Sequence, residues 1–68
     1  MLSITVNGRP RTLSLLSSTL ADLVRDLDFE GRRIAVEKNG EIVPKSRYAA
    51  TTLVDGDRIE IVGAVGGG

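Results

Sequence analysis

Four of the eight glycines in this 68-residue chain fall within its last six positions, Gly63-Ala64-Val65-Gly66-Gly67-Gly68. Three readings are open to such a stretch. An inert end is the ordinary condition of chain termini. A phosphate-cradling loop needs a helix N-terminus behind the glycines, and the sequence offers none after Gly68. In the third reading the carboxylate of Gly68 is itself the reacting group. Glycine suits that task, because a chain without Cβ atoms threads a narrow channel and lets a partner's backbone approach closely. Gly68 would carry the reacting group, Gly66 and Gly67 would give access and flexibility, and the carboxylate, ionised at neutral pH, would stay unreactive until activated.

The remaining polar clusters have plainer explanations. Asp22, Asp26 and Asp28 resemble a carboxylate cluster, but Asp22 and Asp26 belong to the exposed side of a helical pattern, where a solvated face outweighs a metal site. Asp55-Gly56-Asp57 matches a fragment of a calcium loop, yet the other ligand positions and the closing glutamate are missing, so it reads as turn chemistry. Ser17, Ser18 and Thr19 have no base to activate them, which leaves helix capping as their role. Arg9 with Arg11, and Arg32 with Arg33, are either contacts for an acidic partner or scattered solvated charge. Tyr48 either covers an edge of the core or touches a partner.

Composition narrows the classes further. Nine basic and nine acidic residues cancel, and there is no cysteine, histidine or tryptophan. Disulfides and thiolate metal sites are excluded, and the side chain best suited to acid–base catalysis is absent. A balanced charge without a basic run argues against nucleic acid and acidic membranes. A hydrophobic fraction of 41% suits a packed domain. A chain of this size forms one domain with a small core, burying roughly 60% of its unfolded surface. Met1 to Val6 lacks the basic and apolar regions of a signal peptide, so a cytoplasmic, non-enzymatic domain is expected.

The elements that must position the tail follow from periodicity. Leu2, Ile4 and Val6 alternate with Ser3 and Thr5 as in a half-buried strand. Asn7-Gly8 signals a tight hairpin, and Thr12 to Leu15 predict its second strand, with Pro10 tolerable only at an edge or a strand end. Leu16, Leu20, Leu23, Val24 and Leu27 take helical spacing, with Thr19 and Asp22 as a capping box and Gly31 as the stop. Ile34 and Val36 return to strand alternation. Asn39-Gly40 marks a turn, Ile42-Val43 a brief strand ended by Pro44, and Lys45 to Thr52 an ambiguous segment. Asp55-Gly56 turns the chain into a last strand over Arg58 to Val62. These signals predict an α+β domain over residues 1–62, a mixed sheet of four or five strands with one helix across one face, and a flexible tail over 63–68. The other face, with Ser3, Thr5, Glu37, Arg58 and Glu60, is expected to stay wet. Strand order does not follow from local pattern.

The order of these motifs resembles a known family. The hairpin, the capped helix, Ala35-Val36-Glu37-x-Asn39, Ile42-Val43-Pro44-x-Ser46, Asp55-Gly56-Asp57 and the terminal glycines together resemble the ThiS family, the ubiquitin-like β-grasp sulfur carriers of thiamine biosynthesis. The likeness covers essentially the whole chain. The Asp-Gly-Asp turn and terminal diglycine are shared by β-grasp carriers generally, whereas Glu37-x-Asn39 and Val43-Pro44 point to this family. Two positions depart from the pattern: Lys45 stands where arginine is expected, and three glycines replace the minimal two.

The resemblance implies a mechanism and a set of partners. A ThiF-type adenylating enzyme would use ATP and magnesium to convert the Gly68 carboxylate to an acyl-adenylate. Sulfur drawn from cysteine by a desulfurase would displace AMP and leave a thiocarboxylate, and a ThiG-type thiazole synthase would accept it. Ala64 and Val65 are candidate contacts at the mouth of a partner's channel, with strand continuation as the alternative for Val65. The small subunit of molybdopterin synthase shares the fold and chemistry, but it commonly carries prolines before its tail. An adaptor with an inert tail is the reading from a different class.

Overall fold

The structure is a computed structural model that describes residues 1–14 and 18–63. Leu15, Leu16, Ser17 and the stretch 64–68 lie outside the described residues. The elements run in the order β1 (Leu2–Val6), β2 (Arg9–Leu13), α1 (Leu20–Asp26), β3 (Ile34–Lys38), β4 (Glu41–Val43), a 3₁₀ helix (Lys45–Ala50) and β5 (Arg58–Gly63). Both hairpins form at the predicted dipeptides. Asn7 and Gly8 take φ of 53° and 81°, and Asn39 and Gly40 take 53° and 88°, the paired positive angles of a two-residue turn whose twist matches the strands.

The five strands make one mixed sheet in the order β2-β1-β5-β3-β4. β1 is antiparallel to β2 and parallel to β5, and β3 is antiparallel to both β5 and β4. The last strand in sequence is therefore the middle strand in space. β2 begins at Arg9, earlier than the predicted Thr12, and ends at Leu13, so Ser14 is not part of it. Pro10 sits inside this strand opposite Thr5, and an edge position is what makes its missing N–H harmless.

The helix is a single capped segment of seven residues. The Asp22 N–H donates to Thr19 Oγ1 at 3.2 Å, and the Thr19 N–H donates to Asp22 Oδ2 at 3.3 Å, so the predicted capping box is complete. The helix closes at Leu27, with Asp28 in the left-handed region at φ 65°. Asp28 therefore takes the stop position expected at Gly31, which has its own positive φ three residues on in the following loop. Helix and sheet share one core, in which Leu20, Leu23, Val36 and Ile59 are fully buried. Leu53 joins them from a loop that no periodicity marks. The loop is held by Leu53 N–H to Ser18 O at 2.6 Å and Leu20 N–H to Thr51 O at 2.9 Å. The ambiguous segment is the 3₁₀ helix, and its Tyr48 is buried at the core's edge. On the outer face Ser3, Glu37, Arg58 and Glu60 are exposed as expected, and Thr5 is partly covered.

Candidate functional site

Of the residues the sequence assigns to the reacting tail, Ala64, Val65, Gly66, Gly67 and Gly68 lie outside the described residues. Their root does not. β5 runs one residue past the predicted boundary, through Gly63, because Gly63 stands opposite Ile34 at the start of β3. Backbone pairing to a neighbour outweighs the entropy glycine loses on ordering, so Gly63 belongs to the sheet rather than to the tail. A Cβ placed on Gly63 would meet nothing within 4 Å, so the space beside this root is open.

The register gathers residues far apart in sequence at this end of the sheet. β1 ends beside β5 at Val6, and the next residue continues the pairing with its side chain. Ile61 N–H donates to Asn7 Oδ1 at 2.7 Å, while Asn7 Nδ2 donates to Ile61 O at 3.1 Å. Arg9 opens β2, Arg32 and Arg33 precede β3, and Lys45 follows β4. The antiparallel pairings bring Arg32, Arg33 and Lys45 to the end where β5 finishes, whereas Arg9 pairs with Val6, in register with Ile59 nearer the start of that strand. Sequence reading found both arginine pairs but had no signal for the convergence of Arg32 and Arg33 with Lys45, since that depends on strand order.

Two cavities lie on the helix side of the sheet. One of about 530 Å³ lies between α1, the loop before β3 and the 3₁₀ helix, where Val24 and Tyr48 are buried and Phe29 and Ile34 half-buried. Arg32, Arg33, Lys45 and Glu30 are exposed around it. Burial pushes the Tyr48 hydroxyl above its ordinary pKa, so it is neutral and no nucleophile near pH 7. The second cavity, about 470 Å³, lies between the first hairpin and the helix end, and includes Arg9, Arg11 and Phe29.

The other candidates resolve into structural roles. Asp57 is 4% exposed; its Oδ1 accepts from Asn39 Nδ2 at 2.9 Å and its Oδ2 from Val54 N–H at 2.9 Å. Asp55 Oδ1 accepts from Ser3 N–H at 2.6 Å. The Asp-Gly-Asp segment is thus turn chemistry that fastens the end of the sheet remote from Gly63. Asp22 caps the helix and pairs with Arg25. Hydrogen bonds from Thr19, then Arg25, hold its carboxyl below the ordinary value of 3.8. Among the described residues, no group of three or more acidic side chains is placed to hold a metal ion. No described helix is long and apolar enough to cross a membrane.

Comparison with known proteins decides the family. The ThiS family model matches residues 4–68, which includes the glycine run. The chain belongs to the ThiS family. Its relatives include the sulfur carrier protein ThiS of Bacillus subtilis, 40% identical over 63 residues that cover 93% of this chain and 96% of that protein. The thiazole synthase of Paramagnetospirillum magneticum is 45% identical over 67 residues, 98% of this chain but 20% of that protein. The chain thus spans about a fifth of that longer relative. A solved ThiS structure from Geobacter metallireducens superposes with a TM-score of 0.81 at 35% identity, covering 98% of this chain and all of that one. The ubiquitin-like β-grasp architecture expected of a ThiS protein is the one observed: a mixed five-stranded sheet with one short helix.

Proposed function

We propose that this chain is a sulfur carrier of thiamine biosynthesis, a substrate and shuttle rather than a catalyst. The observation that carries the reading is the family match across the glycine run, joined to a root at the end of the central strand. A rigid domain that presents a short side-chain-free segment suits delivery of one carboxylate into another protein's active site. A ThiF-type enzyme, with ATP and magnesium, transfers AMP to the Gly68 carboxylate and releases pyrophosphate. The terminal sulfur of a persulfide, formed by a cysteine desulfurase, attacks the acyl carbon, and AMP leaves. Cleavage of the S–S bond by a thiol reductant then frees the thiocarboxylate. Gly66 and Gly67 pass through the partner's channel, with Val65 and Ala64 against its mouth.

A ThiG-type thiazole synthase is the proposed acceptor. Support comes from the thiazole synthase relative, which contains a stretch alike to nearly this whole chain. The proposed compartment is the cytosol, where the activation draws on ATP.

Intact mass tests the proposal. After incubation with a ThiF-type enzyme, ATP-magnesium, cysteine and desulfurase, the chain is expected to gain the difference between one sulfur and one oxygen. A Gly68 deletion is expected to gain nothing. An unchanged wild-type mass, with partners that activate another carrier, would sink the reading.

A further inference from the structure

Both hairpin turns carry asparagine where the turn itself asks only for a residue tolerant of positive φ. Glycine or aspartate would serve such a turn as well as Asn7 and Asn39 do, each at φ 53°. What sets asparagine apart is a side chain that holds an acceptor and a donor together. Both asparagines use that combination on β5 or on the residue before it. Asn39 Oδ1 accepts from the Arg58 N–H at 2.8 Å, and its Nδ2 donates to Asp57 at 2.9 Å, where the strand begins. Asn7 Oδ1 accepts from the Ile61 N–H at 2.7 Å, and its Nδ2 donates to the Ile61 carbonyl at 3.1 Å, near where the strand finishes. The side chains at these turns thus serve the tail-bearing strand as well as the hairpins.

The Asn7 contact has a particular place in the register. β1 pairs with β5 through Thr5–Arg58 and Val6–Ile59, and the Asn7 N–H still reaches Ile59 O at 2.8 Å. The backbone then turns away at Gly8, where φ is 81°. The Asn7 carboxamide supplies one more rung, because it offers the same C=O and N–H groups as a peptide unit. On the other side β3 pairs with β5 as far as Ile34–Gly63. Among the described residues, Ile61 is therefore the last one held from both sides, and Val62 and Gly63 are paired with β3 alone. Without the Asn7 amide, that last doubly held residue would be Ile59.

Five residues follow Gly63, enough to span at most about 18 Å. Each residue released from the end of β5 would add up to about 3.5 Å of slack. It would also add a residue whose freedom is lost whenever the tail is seated in an enzyme. We propose that Asn7 is a positioning residue for adenylation of Gly68: its side chain fixes the root from which the tail is presented. The inference rests on the carrier reading, and it holds whichever surface of the domain the enzyme covers. Asn7 touches no reacting atom and acts through β5.

Three variants of the full chain test this, each checked for native amide dispersion. Asn7→Gly keeps the positive φ and removes both bonds to Ile61; Asn7→Asp keeps the acceptor and loses the donor. Thr19→Ala removes the helix cap instead and controls for a loss of stability of similar size. The heteronuclear NOE of Val62 and Gly63 is expected to fall in Asn7→Gly and to stay unchanged in Thr19→Ala. Pyrophosphate release is then followed with a ThiF-type enzyme and ATP-magnesium, with the carrier varied. For Asn7→Gly, kcat/KM should fall about threefold to tenfold, the weight of one ordinary hydrogen bond. The loss should lie in KM, because the extra ordering opposes binding. Asn7→Asp should lose less, and it carries the test if Asn7→Gly lacks native dispersion. Thr19→Ala should match the wild type. A wild-type kcat/KM in both Asn7 variants, a loss in kcat alone, or an equal loss in Thr19→Ala would overturn the proposal and leave the carrier reading standing. A wild type that is not adenylated, by an enzyme that activates another carrier, would sink the carrier reading and this proposal with it.

Discussion

The two ends of this sheet are built differently. At the end remote from Gly63, side chains tie loops to strands: Asp55 to Ser3, Asp57 to Val54 and Asn39, and Asn39 Oδ1 to the Arg58 N–H at 2.8 Å. Backbone bonds add to these, with Gly56 N–H to Ser3 O at 2.8 Å and Thr5 N–H to Asp57 O at 3.0 Å. At the Gly63 end the long-range side-chain tie is Asn7 to Ile61, and cations stand around cavities without ion-pair partners among the described residues. One end spends its polar groups on the fold; at the other, Arg32, Arg33 and Lys45 form no ion pair among the described residues. A small domain with little core to spare can leave one end open only if the other is well fastened.

The sharpest way to break this comparison is Asp57→Ala. It removes the buried acceptor shared by the Val54 N–H and the Asn39 amide, and with it the acid 4.0 Å from Lys38. A loss of about 2–4 kcal/mol in urea denaturation is expected, a large share of the stability of so small a domain. Asn7→Gly sharpens the contrast from the other end. Glycine keeps the positive φ while removing both bonds to Ile61, so the expected loss is about 1 kcal/mol, with faster amide exchange confined to the end of β5. A result as large as that for Asp57→Ala would mean that the two ends are fastened alike.

Away from both ends, Thr19→Ala should cost about 1 kcal/mol by removing the N-cap. The capping carboxylate also gives a pH dependence. The folded-state pKa of Asp22 is lowered, so its contribution is present above the ordinary value of 3.8 and is lost as pH falls below that value through the folded pKa. Asp22→Asn should flatten the fall in stability over that acid range and leave neutral-pH behaviour to the loss of the cap alone. The smallest effect is expected for R32Q/R33Q/K45Q, within about 0.5 kcal/mol by thermal or urea unfolding. A larger loss would place those cations in the fold's own service and remove the difference between the ends.

Much of this was legible in the sequence because its signals are local. Asn7-Gly8 and Asn39-Gly40 specify hairpins through backbone angles, and Thr19 with Asp22 specifies a helix start through reciprocal bonds three residues apart. The hidden features all depend on distant neighbours. Pro10 and Arg9 are strand residues because β1 offers them an edge partner, and Gly63 is one because Ile34 lies opposite. Leu53 is core only because its loop passes beneath the helix start. Asp57 reads as a turn residue, and its burial appears once β3 has placed Asn39 beside it. The same limit governed the site. The glycine run announced the tail, whereas the grouping of Arg32, Arg33 and Lys45 near its root required the sheet order.

That order has a mechanical consequence. A partner that draws in the chain beyond Gly63 pulls along the axis of β5, which is laddered to β1 on one side and β3 on the other. Force applied this way loads the hydrogen bonds of both ladders in shear, many at once. The same tail on an edge strand would put the whole load on one ladder. A strand with a neighbour on each side shares the pull between two ladders, so a tugged tail is braced by the sheet behind it.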